Sequence, residues 1–351
     1  MRKLLAVAAL LGAFARPGWS ASTAGTGAAA FLKLPACAED AALGEAAVGR
    51  GGGAMAALRN PAALAGNEAP AFAFGHALLM EDISYDTLGG AVPLGPGALG
   101  FGAQYLRYGA LDLVDNTGSV RGGLSPRDSA FSLGWGMPVD PDIYVGAALK
   151  RVESRIYGSA AANALDLGAV VKGEDLSVGF SVQNMGPGLK FASEASPLPV
   201  NVRLGAAIPY KDNWLWLVDL NFPKDGPAWA AAGGQYEFGS KSSWKLQARA
   251  GYNTAAADTG GLNGMTAGFG LDGGRLSFDY ALRTLGVLGV THHIGVSWRW
   301  GAKEEEPAPP QQKRAAAAPE KPVQAARPAG TAPAKAPPPA KPAYPKPRSY
   351  K

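Results

Sequence analysis

From Pro70 to Gly301 the chain carries about fourteen short segments in which apolar and polar residues alternate, joined by connections that are in turn short and long. Period-two alternation puts one residue class on each face of an extended strand. Between Trp244 and Tyr252, residues Trp244, Leu246, Ala248, Ala250 and Tyr252 share one face, and Lys245, Gln247, Arg249 and Gly251 the other. Leu276 to Arg283 repeats this, with Leu276, Phe278, Tyr280 and Leu282 against Ser277, Asp279, Ala281 and Arg283. Trp214 to Phe222 is less clean, because Leu215 and Leu217 fall on the face that also carries Asp219 and Asn221. Such strands suit either a two-sheet sandwich or a barrel whose apolar face meets lipid.

Length, aromatic placement and loops decide between them. Strands are expected near 70–79, 85–95, 97–109, 128–139, 143–157, 164–173, 176–186, 198–210, 214–223, 228–239, 243–253, 265–273, 275–286 and 289–301. Most are close to the roughly 9 to 11 residues that a tilted strand needs to span a bilayer. Tyr, Trp and Phe collect at segment ends, among them Tyr105, Tyr144, Trp214, Phe238 and Trp300, as in the girdles at membrane interfaces. Connections on one side are short and rich in Gly, Pro, Asp and Ser. Those on the other include 107–127, 184–199 and 253–264. The expected fold is all-β, a transmembrane antiparallel barrel of about fourteen strands at residues 68–301, with both termini periplasmic.

The amino terminus agrees with export. Arg2 and Lys3 precede the apolar run Leu4 to Phe14, and small residues follow by Ser20 to Ala24, so residues 1–21 read as a signal peptide. Residues 22–67 are too apolar for a free linker and are expected to form a partly helical hatch in the barrel. Ala41 to Val48 and Ala54 to Arg59 are its helical candidates, the second ended by Asn60-Pro61. Cys37, the sole cysteine, follows Leu34-Pro35-Ala36 as in a lipoprotein box, but the signal core ends some twenty residues earlier. It is expected to be a small buried residue. Residues 302–351 turn to Pro, Ala and Lys and are expected to be a disordered periplasmic tail. Ten Lys or Arg against four Glu give that stretch +6, while the whole chain is +5. Residues 1–301 together therefore carry −1, and the basic character does not point to nucleic acid.

Little chemistry is grouped. The three histidines are His76, His292 and His293, and adjacent strand residues face opposite ways, so His292 and His293 are not expected to share a metal. No nucleophile, base and orienting acid stand together and no phosphate loop is present, so neither an enzyme nor a cofactor is expected. Strand parity sends Arg203, Glu237, Arg249, Asp279, Arg283, His293 and Arg299 into the lumen, as a binding surface or as partners for one another and for the hatch. Under the pairing reading, Arg249→Ala need not affect transport. Asn60, Pro61 and Ala62 are the hatch candidates, either as a gate or as a helix terminus held against the wall.

Gly27-Ala28-Ala29-Ala30-Phe31-Leu32-Lys33, Ala41-Ala42-Leu43-Gly44-Glu45-Ala46 and Asn60-Pro61-Ala62-Ala63-Leu64-Ala65 form an ordered series. It continues with Asn184-Met185-Gly186-Pro187-Gly188-Leu189-Lys190-Phe191, Pro197-Leu198-Pro199, Arg203-Leu204-Gly205, Arg249-Ala250-Gly251-Tyr252, Asp279-Tyr280-Ala281 and Leu288-Gly289-Val290-Thr291-His292. In order and spacing this resembles the PorV/PorQ family, related to FadL-type fatty acid transporters. Two departures are His293, where the family commonly has a basic residue, and Gly51-Gly52-Gly53-Ala54-Met55, where many members are acidic. The resemblance implies a FadL-like barrel with a hatch, working in the bacterial outer membrane. Its partners would be lipid and either exported cargo or secretion-machine proteins of a type IX-like system, or, as in FadL relatives, a hydrophobic small molecule. A structural envelope anchor is a third role, and fold alone does not choose among them.

Overall fold

The computed structural model describes residues 27–80, 82–211, 213–239, 244–255, 263–286 and 289–301, and the isolated positions 336 and 339. The signal peptide and the tail read from the sequence lie outside the described residues, as do parts of the connections at 239–244 and 253–264.

Fourteen strands close a barrel: β1 (Ala71–Leu78), β2 (Ser84–Leu94), β3 (Gly97–Arg107), β6 (Arg127–Asp140), β7 (Ile143–Arg155), β8 (Ser159–Lys172), β9 (Ser177–Met185), β12 (Asn201–Tyr210), β13 (Trp214–Pro223), β14 (Trp229–Phe238), β15 (Lys245–Asn253), β16 (Met265–Asp272), β17 (Leu276–Thr284) and β18 (Val290–Arg299). Each pairs antiparallel with its neighbours, and β1 meets β18 from Ala71↔Arg299 to Leu78↔His292, which removes every free edge. Two hairpins, β4 (Leu111–Val114) with β5 (Val120–Leu124) and β10 (Leu189–Phe191) with β11 (Glu194–Ser196), stand in the long connections.

The alternation becomes two surfaces. Phe72, Phe74, Leu133, Leu149, Trp216, Val218, Phe269, Phe278 and Ile294 stand exposed on the outer wall. An apolar surface of this extent suits lipid. Trp214 stacks on Trp216, and Tyr236, Phe238, Trp298 and Trp300 lie toward the same short-turn end. Among the described residues no helix is long and apolar enough to cross a membrane.

Inside the wall lie a 3-10 turn (Ala30–Lys33), helix α1 (Ala38–Ala42), helix α2 (Ala56–Arg59) and a second 3-10 turn (Pro61–Gly66). The two inconvenient leucines of β13 face this segment: Leu217, with Leu215 beside it, packs against Leu43 and Ala46. Inward glycines let backbone meet backbone. A methyl at Gly136 would sit 2.6 Å from the Pro61 carbonyl oxygen, and one at Gly233 would sit 2.5 Å from that of Leu43.

Three expectations need correction. The first hatch helix spans Ala38–Ala42, not 41–48, because Gly44 (φ 68°) and Glu45 (φ 74°) turn left-handed and end it. β8 begins at Ser159 rather than 164. Its Ser-Ala-Ala-Ala-Asn start lacks the branched residues that mark a strand, yet it pairs with the long β7 through Arg155↔Ser159. There Ala160, Ala162 and Ala164 turn inward onto a cluster containing Phe31, Tyr85 and Val152. Cys37 is only partly buried, at the border of the Met55 and Leu58 cluster.

Candidate functional site

Three arginines of the wall reach the inner segment. Arg249 of β15 places Nη1 2.5 Å from Asp279 Oδ1 and Nη2 3.2 Å from Glu39 Oε1, while Nε donates to Gln235 Oε1 at 2.8 Å. Arg50 Nη1 closes on the same Glu39 oxygen at 2.8 Å. Arg203 Nη2 lies 3.0 Å from Asp219 Oδ2 and donates to the Glu45 carbonyl at 2.8 Å, and Arg283 Nη2 lies 2.5 Å from Glu45 Oε1. Asp219 Oδ2 also accepts from the backbone N–H groups of Ala47 and Val48, at 2.9 and 3.1 Å. Within the inner segment Arg59 Nη1 pairs with Asp40 Oδ1 at 2.9 Å, both side chains almost fully enclosed.

Burial opposes the charge of Glu39, but the guanidinium groups of Arg50, Arg249 and Arg59 outweigh it and hold the carboxyl down to about 2. Burial prevails at Glu45, whose pKa is raised despite Arg283 and Arg203.

Asn60 is fully buried and caps the second 3-10 turn: Oδ1 accepts from Ala62 N–H at 3.1 Å. Its Nδ2 donates to Val48 O and to Ala169 O of β8, each at 3.2 Å. Pro61 occupies the first position of the turn, where a missing N–H costs nothing, and Ala62 is buried behind it. Gln183 of β9 adds bonds from Nε2 to the carbonyls of Leu58 (3.0 Å) and Arg59 (2.7 Å).

The remaining lumen candidates stand apart. Glu237 lies at the short-turn end, 3.4 Å from Lys245 and accepting from Gln247 Nε2 at 3.1 Å. His293 is buried with Nε2 3.1 Å from Thr291 Oγ1, while His292 faces outward beside the Tyr280 hydroxyl. Arg299 sits at the strand end with Asp272, 2.6 Å away.

Two constellations escaped the sequence reading. Glu39, Asp40, Glu45, Arg50 and Arg59 look like scattered charges in an Ala/Gly-rich stretch, and only their enclosure by the barrel wall requires that each have a partner. Lys150 pairs with Asp166 at 2.8 Å and donates to Asn184 Oδ1 at 2.6 Å, all three buried. Asn184 adopts φ 61° at the end of β9, opposite a register shift in β8 between Leu165 and Leu167.

Toward the long-loop end the inner segment leaves a cavity of about 470 Å³. Leu32, Leu34, Leu58, Pro223 and Trp229 supply apolar lining; Arg59, Asp40 and Arg203 are among the polar groups. Lys33 and Asp225, both on its lining, form an ion pair at 2.5 Å. The volume falls within the roughly 300–1,000 Å³ of small-molecule sites.

No family model matches the chain, and no curated protein matches it. Among solved structures, the toluene transporter TbuX of Ralstonia pickettii is similar with TM-score 0.52 at 13% identity, over 76% of this chain and 98% of that one. The CymD monoaromatic hydrocarbon channel gives 0.51 at 13%, over 75% and 96%, and a Pseudomonas aeruginosa FadL homologue 0.50 at 12%, over 76% and 98%. This chain has the fold of those channels. At such identities the likeness speaks for the barrel fold alone, not for a substrate.

Proposed function

We propose that the chain is an outer-membrane channel for small, largely apolar molecules, closed in this conformation by residues 27–67 acting as a hatch. The observation that carries the reading is the 470 Å³ cavity at the long-loop end, floored by the hatch, where leucine, proline and tryptophan share the lining with charged and amide side chains such as Arg59, Arg203, Asp225 and Gln183. With both termini periplasmic, that end faces outside, where an incoming solute first meets the protein. Two of the barrels that share the fold are described as a toluene transporter and a monoaromatic hydrocarbon channel, which supports the same reading. Asn60, Pro61 and Ala62 act as the hatch's anchor on the wall, and Arg203, Arg249 and Arg283 as its ion-pair clamps. No catalytic step is assigned to any of them. A part in protein secretion rests on the PorV/PorQ resemblance alone.

The test is uptake of labelled toluene and of a labelled long-chain fatty acid by cells whose own outer-membrane hydrocarbon channels are deleted. Expression should raise uptake of at least one several-fold over cells carrying a Trp229→Asp variant at equal surface abundance. Equal uptake, together with exported proteins co-purifying stoichiometrically with the native barrel, would move the function to protein escort.

A further inference from the structure

On the outer wall at the long-loop end, three arginines stand side by side on adjacent strands. Arg107 of β3 is in register with Arg127 of β6, and Arg127 with Arg155 of β7. All three are exposed and share the lipid-facing parity. Like charges directly opposite one another destabilise a sheet. Arg107 is offset by Asp86, 2.8 Å away. The side chains of Arg127 and Arg155 have no hydrogen bond or ion pair among the described residues. A fourth arginine, Arg151, lies lower on β7, where its Nη1 donates to Asn163 Oδ1 at 3.1 Å. A cleft of about 370 Å³ runs between Arg127, Arg151 and Arg155, with Ser129, Ser159 and Glu153 on its sides, the Glu153 carboxylate 3.4 Å from Arg151 Nε.

The level of the row defines what it meets. Phe131 and Leu133, four and six residues along β6 from Arg127, are exposed in the apolar band. Four residues at about 3.4 Å each on a strand tilted by about 40° put Arg127 about 10 Å above Phe131. A lipid headgroup layer occupies roughly 5 to 8 Å beyond the hydrocarbon, within reach of an arginine side chain. Three strands about 4.8 Å apart make the row about 10 Å wide, more than one phosphate fills.

We infer that this row binds the phosphorylated sugar headgroup of a membrane lipid. The guanidinium groups take phosphate oxygens in two-pronged hydrogen bonds, and the serines meet sugar hydroxyls. The anion adds to the single carboxylate of Glu153 in offsetting the repulsion among Arg127, Arg151 and Arg155. The inference rests on the barrel standing in a membrane and is independent of what passes through the lumen.

The test uses the full chain in mild detergent, titrated with diphosphoryl lipid A, dephosphorylated lipid A and phosphatidylglycerol in mixed micelles. Diphosphoryl lipid A should bind at least tenfold tighter than either other lipid. The double variant Arg127→Gln/Arg155→Gln should lose at least tenfold, while Lys211→Gln at the opposite end leaves binding unchanged. The heat-modifiable folded band must be the same for all three proteins, and if the double variant lacks it, Arg155→Gln alone is read with an expected loss of threefold or more. Equal binding by wild type and variant overturns the inference. So does equal affinity for phosphatidylglycerol, which would mean an unselective anionic surface, or full displacement by millimolar inorganic phosphate, which would mean a free-anion site. A protein held through the row in place of lipid also overturns it.

Discussion

Arg249 ties the hatch to the wall, since one guanidinium serves Asp279 and Gln235 of the wall and Glu39 of the inner segment. Replacing it by alanine leaves two carboxylates facing each other without their cation. Breaking a buried pair from one side costs about 3–5 kcal/mol, discounted here because Glu39 keeps some solvent contact and Arg50. Arg249→Ala is expected to speed hydrogen exchange in residues 38–50 at least tenfold with the barrel strands unchanged. Acid should act at the same place. The Glu39 carboxyl lies below its ordinary 4.5, at about 2, so its contribution to hatch attachment is complete above pH 4.5 and is lost as pH falls through about 2. Exchange in residues 38–50, measured from pH 7 down to 2 and corrected for intrinsic rates, should stay flat to about 4.5 and rise below. Asn60→Ala removes a cap worth about 1 kcal/mol and two further bonds to backbone carbonyls. Limited proteolysis should then cut near residues 60–67 in the folded barrel, and an unchanged pattern would deny Asn60 its anchoring role.

At the scale of elements, the hatch is held as much by missing side chains as by bonds. Gly136 and Gly146 receive Pro61, Gly179 receives Val48, and Gly233 receives Leu43, each so closely that a β-carbon would collide with backbone. A leucine at Gly233 therefore cannot coexist with a seated α1 turn. Gly233→Leu is expected to fold, because the strand pairing is untouched, but to leak. Single-channel recordings should show larger conductance than wild type, and a silent channel with an intact folded band would refute this account of the seal. The wall side of this fit was hidden in the sequence, where inward glycines read only as small lumen residues. The strands themselves were legible, because alternation is local: β15 and β17 carry the faces their residues dictate. The start of β8 was not, since alanine and serine favour no element strongly and only pairing with β7 extends it.

For the whole molecule, closure by β1 and β18 places the last barrel strand well before the end of the chain. Ile294, Val296, Trp298 and Trp300 close that strand on an apolar, aromatic note. An assembly signal made of these residues would be read internally, so deleting residues 302–351 should leave the heat-modifiable band and membrane insertion intact. Loss of the band would show that the tail takes part in assembly. The hatch, by contrast, belongs to the function of the closed barrel, and its removal should leave an open pore rather than an unfolded chain.

What the sequence by itself determined is whatever repeats within a few residues: strand number to within a turn, the lipid-facing side, the short and long ends, and the helix-ending Asn60-Pro61. Period-two patterning and turn chemistry are local, so no distant contact is needed to read them. What only the tertiary structure decided is the pairing of charges and the registration of strands. Arg249 and Glu39 are 210 residues apart and Arg203 reaches across 158 residues to Glu45. The arginine row exists because β3, β6 and β7 are aligned by hydrogen bonding across a long connection. Charge partners are set by the closure of a curved wall around an inserted segment, and that geometry is written in no single stretch of residues.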